Sequence, residues 1–167
     1  GVPVVVANDS HAAALAELTF HRRPRPNNLV VIKVGRGIGA GIIVNGQLFQ
    51  GDGYGAGEFG HVSPGDAGAP CRCGRRGCLE TVAGLEALLE MAGLDASGAT
   101  TTAGSGEPVA ALASRARAGD ESALAALREG GRWLGLAIAS AANLLNFQAV
   151  VLGGFFGQLS TWLAAPI

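Results

Sequence analysis

The most informative stretch of the sequence is residues 57–84, which read GEFGHVSPGDAGAPCRCGRRGCLETVAG. It contains one histidine and all the cysteines of the chain: His61, Cys71, Cys73 and Cys78. Three thiolates and one imidazole form the soft ligand set that a tetrahedral zinc ion prefers. The stretch is rich in glycine and proline, so it cannot build a packed core from its own side chains. We therefore predict a structural Zn²⁺ in a loop that spans about residues 57–80.

A single disulfide with one spare thiol is the alternative use of these cysteines. Their number is odd, and Cys71 and Cys73 are too close in sequence to bridge without strain. Metal binding is therefore the favoured interpretation. With four protein ligands, no coordination position is left for water, so the ion would be structural rather than catalytic.

Two glutamates flank the loop. Glu58 lies three residues before His61, and Glu80 lies two residues after Cys78. A loop tied at both ends by a metal would hold these carboxylates at fixed positions, where their oxygens can accept hydrogen bonds from the hydroxyls of a polyol. The alternative is that Glu80 caps a helix that begins near Thr81 and that Glu58 is solvated. The residues alone leave both interpretations open.

Hydrophobic periodicity and turn residues predict the strands and helices. The predicted strands are residues 4–7, 29–34, 40–44, 47–50 and 149–152, the last of them buried, with Asn45-Gly46 as a hairpin turn. The predicted helices are residues 8–19, 85–91, 108–118 and 121–147, the first capped by Asn8 or Ser10. Residues 93–106 form a polar linker or lid. Residues 51–77 form a loop too long for an ordinary connection, and zinc would supply its order.

Composition indicates one soluble domain. The chain has 167 residues, of which 49% are hydrophobic and 15% charged, with a net charge of −1. That length can bury one substantial core, and the small net charge gives no electrostatic signature of nucleic-acid binding. No apolar run is long enough to span a bilayer, and no secretion signal is evident. Together with a zinc–thiolate site, this predicts a cytoplasmic location.

Four segments, in matching order, carry a resemblance to a known family. They are Asn8-Asp9-Ser10-His11-Ala12-Ala13-Ala14-Leu15, the glycine-rich residues 35–46, residues 57–84 and Val150-Val151-Leu152-Gly153-Gly154. Together they resemble the ROK family, which groups bacterial sugar kinases and sugar-responsive repressors. The resemblance implies an α/β fold of the actin-like ATPase (ribonuclease H-like) type. It implies that residues 1–167 are a single C-terminal lobe truncated at both ends, because the family's first phosphate loop is absent.

The resemblance also implies roles for individual residues. A sugar would be bound by Asn8, Asp9, Glu58, His61 and Glu80. In a kinase, Asp9 would be the base that accepts the proton of the attacking hydroxyl, and MgATP would supply the phosphate. A nucleotide would meet Gly35, Gly37, Gly39, Gly153 and Gly154, whose missing side chains let a phosphate approach the backbone. The alternative for residues 35–41 is a tight bend without a ligand. His11 and His21 are predicted to be solvated or locally bonded.

Two functions therefore compete: the sugar-sensing effector lobe of a repressor, and the C-terminal lobe of an ATP-dependent sugar kinase. Arg36, where the kinases carry threonine, favours the sensor, as do Phe155 and Phe156, which would crowd an adenine site. A zinc-stabilised fragment without activity of its own is a third interpretation. The ligand would be a sugar or sugar phosphate, and no membrane partner is expected. DNA would be bound only through a helix-turn-helix absent from this chain, and the resemblance implies dimers or tetramers.

Overall fold

The structure, a computed structural model, describes residues 1–4, 6–20, 26–35, 37–65, 68–97 and 106–166. Its strands are β1 (Leu29–Val34), β2 (Ile38–Val44), β3 (Gln47–Phe49) and β4 (Ala149–Gly154). Its helices are α1 (Asp9–Phe20), α2 (Glu80–Ala83), α3 (Leu85–Met91), α4 (Gly106–Arg117), α5 (Glu121–Leu145) and α6 (Phe155–Leu163). Two 3₁₀ turns, Asp52–Tyr54 and Phe59–His61, lie in the long loop between β3 and α2.

The strands form one mixed sheet in the order β3-β2-β1-β4. Strand β1 pairs antiparallel with β2 and parallel with β4. Its sequence, Leu-Val-Val-Ile-Lys-Val, is rich in β-branched residues, which suit a strand covered on both faces. Strands β2 and β3 are joined by Asn45 and Gly46, whose φ angles of 52° and 73° are both positive, as a type I′ turn requires. The predicted strand at 29–34 and the predicted hairpin are confirmed.

Each face of the sheet has its own core, because successive residues of β1 point to opposite faces. Leu29 and Val31 face α1, where they pack with Ala14 and Ile43. The alternate residues of β1 join the larger core beneath the helices that follow the long loop. Lys33 lies two residues after Val31, so its side chain is on the same face of the sheet as α1. The result is a layer of helix, a layer of sheet and a second layer of helices.

Helix α1 lies very close to β2. A side chain at Gly41 would clash with the backbone carbonyl of Ser10 and with Ala14, and one at Gly39 would clash with the Ser10 hydroxyl. Only glycine permits this approach of helix and strand. The N-terminus of α1 is therefore pressed against the middle of β2, which fixes the position of the Asn8-Asp9 pair.

Helix α5 is the longest element of the fold. It begins after Asp120, whose side chain accepts a hydrogen bond from the backbone N–H of Ala123 at 2.8 Å, and it ends at Asn146 in the left-handed conformation. Gly130 and Gly131 are buried in its middle and lie against α3 and the residues around the end of α6. The helix is unbroken there, so these glycines serve close helix packing.

Two predicted elements differ in the structure. The strand predicted at residues 4–7 is wrong, since residues 1–4 and 6–8 form no strand and Val2, Val4 and Val6 are 84%, 82% and 94% exposed. A strand needs a hydrogen-bonded neighbour, and none of the described strands lies beside this segment. Strand β4, predicted to be buried, is the edge of the described sheet and is partly exposed.

His21 and most of the predicted linker at 93–106 lie outside the described residues. No helix within the described ranges combines the length and the apolar character that crossing a membrane requires.

Candidate functional site

The four predicted metal ligands meet in the loop between β3 and α2. Their ligand atoms all lie within 4.8 Å of one another. Cys71 Sγ is 3.5 Å from His61 Nδ1, and Cys73 Sγ is 3.6 Å from Cys78 Sγ. Atoms bound to one tetrahedral zinc ion lie about 3.5–3.8 Å apart, so the donor set fits zinc after a small contraction. All the cysteines are free thiols, and the alternative of a disulfide is not observed.

Backbone hydrogen bonds shape the loop around the thiols. The N–H of Cys71 donates to the carbonyl of Arg75 at 2.7 Å, and the N–H of Gly74 donates to the carbonyl of Cys71 at 2.9 Å. Arg75 lowers the pKa of the Cys73 thiol to about 6, first through its backbone N–H and then through its guanidinium. A thiol with this pKa is largely a thiolate at neutral pH, which is the form that binds a metal.

Glu80 is the first residue of α2, and its side chain turns towards His61 and Cys71. Its Oε2 accepts a hydrogen bond from Arg72 Nη2 at 3.1 Å, and its Oε1 lies 3.8 Å from His61 Nδ1. Helix α2 has Leu79 at its N-cap and no capping side chain. The interpretation of Glu80 as a helix cap is therefore wrong. The Glu80 side chain is only 12% exposed and pairs with Arg72 of the loop, as expected of a carboxylate that the loop holds at a fixed position.

Asn8 and Asp9 begin α1. The Asn8 Oδ1 accepts hydrogen bonds from the backbone N–H groups of Ser10 at 2.8 Å and His11 at 3.2 Å, which confirms Asn8 as a cap. This leaves the Asn8 amide nitrogen to donate to a ligand. Asp9 forms an ion pair with Lys33, and the hydrogen bond from that ammonium holds the pKa of Asp9 below its usual value. Asp9 is thus an ionised acceptor.

Glu58 and His11 are positioned by the start of the long loop. Glu58 follows Gly57, whose carbonyl accepts a hydrogen bond from the backbone N–H of Ala40 in β2 at 2.7 Å. This contact ties the exposed Glu58 to the edge of the cleft described below.

His11 is 3% exposed, and its Nε2 lies 2.9 Å from the carbonyl oxygen of Ala56. The prediction of a solvated or locally bonded His11 is wrong, because it joins α1 to the loop.

These groups share one cleft of about 210 Å³ between α1, the sheet and the metal loop. All the residues predicted to bind a sugar line it: Asn8, Asp9, Glu58, His61 and Glu80. Their part in binding a sugar stays a prediction, but their convergence is a property of the fold. A second cavity of about 240 Å³ lies on the other side of Arg72 and Glu80, against α3. Arg72, Glu80, Thr81, Glu86 and Glu90 line this second cavity, but Asn8, Asp9, Glu58 and His61 do not, so the 210 Å³ cleft is the candidate site.

Three polar residues of the cleft were not predicted from the sequence: Ser10, Lys33 and Arg72. A signal was available for one of them. Lys33 is the only lysine in the chain, and it interrupts an otherwise apolar strand. A lone charge in a covered strand indicates a partner, since an unpaired buried charge is costly. Arg72 carried no such signal, because it lies among other arginines in a loop.

The glycines predicted to meet a nucleotide fall into two groups. Gly35, Gly37 and Gly39 line the cleft, whereas Gly153 and Gly154 end β4 outside the residues that line it. At Gly37 the neighbour is protein, since a side chain there would lie 2.7 Å from Arg72 Nη2 and 3.0 Å from Glu80 Oε2. Gly39 thus has a packing reason that requires no phosphate, whereas the atoms near Gly37 are the ends of the Arg72 and Glu80 side chains. The binding of a nucleotide by these glycines stays a prediction.

Phe155 and Phe156 were expected to crowd an adenine site, and their positions in the structure weaken that argument for a sensor. Phe156 is 1% exposed and belongs to the larger core, so its bulk fills that core and not a nucleotide site. Phe155 is partly buried and packs against the same core. Arg36 lies outside the described residues.

Comparison with known proteins identifies the family. A profile of the ROK family matches residues 1–166. The chain belongs to the ROK family. It is 35% identical to a glucokinase of Halalkalibacterium halodurans over 175 aligned positions, which cover 99% of this chain and 53% of the glucokinase. This ROK chain therefore spans about half the length of that relative.

Solved structures of two kinds of ROK protein share the fold. A ROK glucokinase from Streptomyces griseus, in complex with glucose and AMPPNP, has a TM-score of 0.82 and 30% identity, over 99% of this chain and 56% of the glucokinase. A ROK transcriptional regulator, a homologue of the Escherichia coli MLC protein, has a TM-score of 0.80 and 37% identity, over 99% of this chain and 42% of the regulator. The mixed α/β fold is thus similar to that of the actin-like ROK sugar kinases, and enzymes and regulators are both relatives.

Proposed function

We propose that this chain is the sugar-sensing effector lobe of a ROK transcriptional regulator. The observation that carries the proposal is the convergence of Asn8, Asp9, Glu58, His61 and Glu80 in one cleft. Carboxylates accept hydrogen bonds from hydroxyls, while an amide nitrogen and an imidazole N–H donate them. The set therefore offers both acceptors and donors to a ring of hydroxyl groups. A sugar is the ligand class that presents such a ring.

The metal would be structural in this function. His61, Cys71, Cys73 and Cys78 would hold a zinc ion, which would cross-link the loop that carries Glu58 and Glu80. His61 faces the other ligands with Nδ1, so its Nε2 is the ring atom left to donate to a sugar hydroxyl. The cluster thus links the order of the loop to the geometry of the cleft.

Two contacts support a sensor over an enzyme. At Gly37, the turn expected to cradle a phosphate lies against the Arg72–Glu80 ion pair. Asp9 is paired with Lys33, and a carboxylate whose pKa is lowered is a weaker base for the proton of an attacking hydroxyl. Both contacts suit recognition of a sugar better than transfer of a phosphate to it.

A sugar kinase is the second candidate function. The similarity to a glucokinase solved with glucose and AMPPNP favours it, and so does the presence of Asp9 at the start of α1. In that case Asp9 would accept the hydroxyl proton, and the phosphate donor would be MgATP. The whole protein that carries this chain is required to distinguish the two, because the relatives are about twice as long.

We expect the whole protein to bind a neutral sugar without phosphorylating it. The test is calorimetric titration with D-glucose and D-xylose, beside a coupled assay for ATP-dependent phosphorylation of the same sugars. In a regulator, a helix-turn-helix outside this chain would bind DNA, and the sugar would shift operator affinity by about 1–3 kcal/mol. Asp9→Asn would weaken sugar binding by about tenfold, the effect of one hydrogen bond to a charged group.

Asp95→Asn is the matched control, since Asp95 bonds to Ser97 nearby in the sequence and lies outside the cleft. It should leave sugar affinity unchanged. Rapid ATP-dependent turnover that Asp9→Asn abolishes would show that the chain belongs to a kinase. Absence of binding for any tested sugar, with the protein folded and loaded with metal, would count against both functions.

A further inference from the structure

We propose that Lys33 is a positioning residue of the cleft, which fixes Asp9 as a hydrogen-bond acceptor and pairs with it to recognise a single sugar hydroxyl. This inference rests on the proposed sugar site and adds a residue that neither motif nor spacing assigned to it. The ligand class is an unphosphorylated sugar with a free hydroxyl at that position. The hydroxyl would donate to Asp9 and accept from Lys33.

The sheet is built to let Lys33 reach the cleft. Its partners in the register are glycines on both sides, Gly39 in β2 and Gly153 in β4. Neither partner has a side chain to crowd the aliphatic stem of Lys33, and a side chain at Gly154 would lie 3.3 Å from Lys33 Cγ. The Lys33 ammonium thus extends past Gly39 and Gly153 to the N-terminus of α1. These glycines gain a function that does not involve a nucleotide.

The ion pair is local to the mouth of the cleft. Lys33 is 29% exposed and Asp9 is 73% exposed, so both can meet a ligand while they remain in contact. The second carboxylate oxygen of Asp9 lies 3.4 Å from the Ser10 hydroxyl. The other ionisable side chains that line the cleft are Glu58, His61, Arg72 and Glu80. Of these, Arg72 pairs with Glu80. Among the described residues, Lys33 is therefore the cation that pairs with Asp9.

The chemistry of the pair explains the choice of ligand. An ammonium carries three N–H donors and an ionised carboxylate only acceptors, so the pair retains both a donor and an acceptor for one hydroxyl. A hydroxyl satisfies both at once. A phosphate at the same position would gain Lys33 but would place its charge against Asp9. We therefore expect the cleft to select the free hydroxyl over its phosphate ester.

The first test requires no sugar. Lys33 in the whole protein is labelled with an amine-reactive reagent near pH 8, and its modification rate is followed by peptide mass spectrometry. Loss of the carboxylate in Asp9→Asn releases the amine from the ion pair that engages it, so the rate should rise about two- to fivefold. Asp95→Asn, whose carboxylate lies outside the cleft, should leave the rate unchanged. An equal rate in Asp9→Asn and the wild type would overturn the role of Lys33.

The second test is a double-mutant cycle on D-glucose affinity, measured by calorimetry on the same protein. Lys33→Met should weaken binding about tenfold, and Lys33→Arg should restore most of the loss because the charge returns. Because part of the effect of Lys33 acts through Asp9, adding Lys33→Met to Asp9→Asn should weaken binding clearly less than the roughly tenfold that Lys33→Met costs alone. Arg128→Met, an exposed cation on α5 outside the cleft, is the control and should bind as the wild type does.

The two tests separate this inference from the proposed function. Additive effects of the two substitutions, or full affinity in Lys33→Met, would overturn the inference while the sugar site stands. Failure of the wild-type protein to bind D-glucose would overturn the glucose site itself, and the labelling rate would still decide whether Lys33 and Asp9 act as a pair. Tighter binding of glucose 6-phosphate than of glucose would overturn the ligand class.

Discussion

Replacing Cys73 with serine is expected to remove the metal and to disorder the loop that carries Glu58, His61 and Arg72 into the cleft. Cys73 is exposed, so the substitution leaves no cavity, and its effect should come from loss of a ligand. The hydroxyl of serine is a far poorer zinc ligand than a thiolate. Zinc content measured by elemental analysis should fall from about one ion per chain to almost none.

Sugar affinity should fall in the same variant, by more than about 100-fold, because Glu58 and Glu80 depend on the loop for their positions. Removal of the metal from the wild type with a chelator should give the same loss, and zinc should restore it. Cys73→His is the matched control, since an imidazole also binds zinc, and it should retain metal and most of the affinity. Wild-type protein purified without chelator that contains no metal would refute the metal site.

Replacing Gly41 with valine should separate α1 from β2. The added side chain would clash with the backbone carbonyl of Ser10, which cannot rotate away as a side chain can. Overpacking of this kind costs about 1–3 kcal/mol, and a backbone contact places Gly41→Val at the upper end of that range. The displaced α1 would carry Asn8 and Asp9 away from the metal loop, so sugar affinity should fall together with stability.

The measurement is urea unfolding of the whole protein beside a sugar titration. Gly106→Ala is the control, because Gly106 begins α4 and a side chain there meets nothing within 4 Å. It should leave the free energy of unfolding unchanged or raise it slightly, since alanine favours a helix. Unfolding of Gly41→Val at the same urea concentration as the wild type would show that α1 is not held against β2 as described.

Much of the fold was predictable because local sequence and tertiary structure agree. The Asn45-Gly46 turn sets the hairpin by its own backbone preference, and Leu85–Met91 is the predicted helix to the residue. The strand predicted at residues 4–7 shows the limit of this approach. Its apolar residues suit a strand, but pairing depends on a neighbour that the described sheet does not provide.

The family, the hairpin and the grouping of His61, Cys71, Cys73 and Cys78 as candidate metal ligands were predictable, because each depends on residue types at short spacings. The assembly of the cleft was not predictable in this way, since it depends on tertiary contacts. Lys33 pairs with Asp9, which is 24 residues away in the sequence, and the side chains of Arg72 and Glu80 lie against Gly37. Such contacts arise from the close approach of α1 to β2 and from the course of the metal loop. Side chains far apart in the chain acquire their partners only when packing brings them together, and no local pattern encodes that distance.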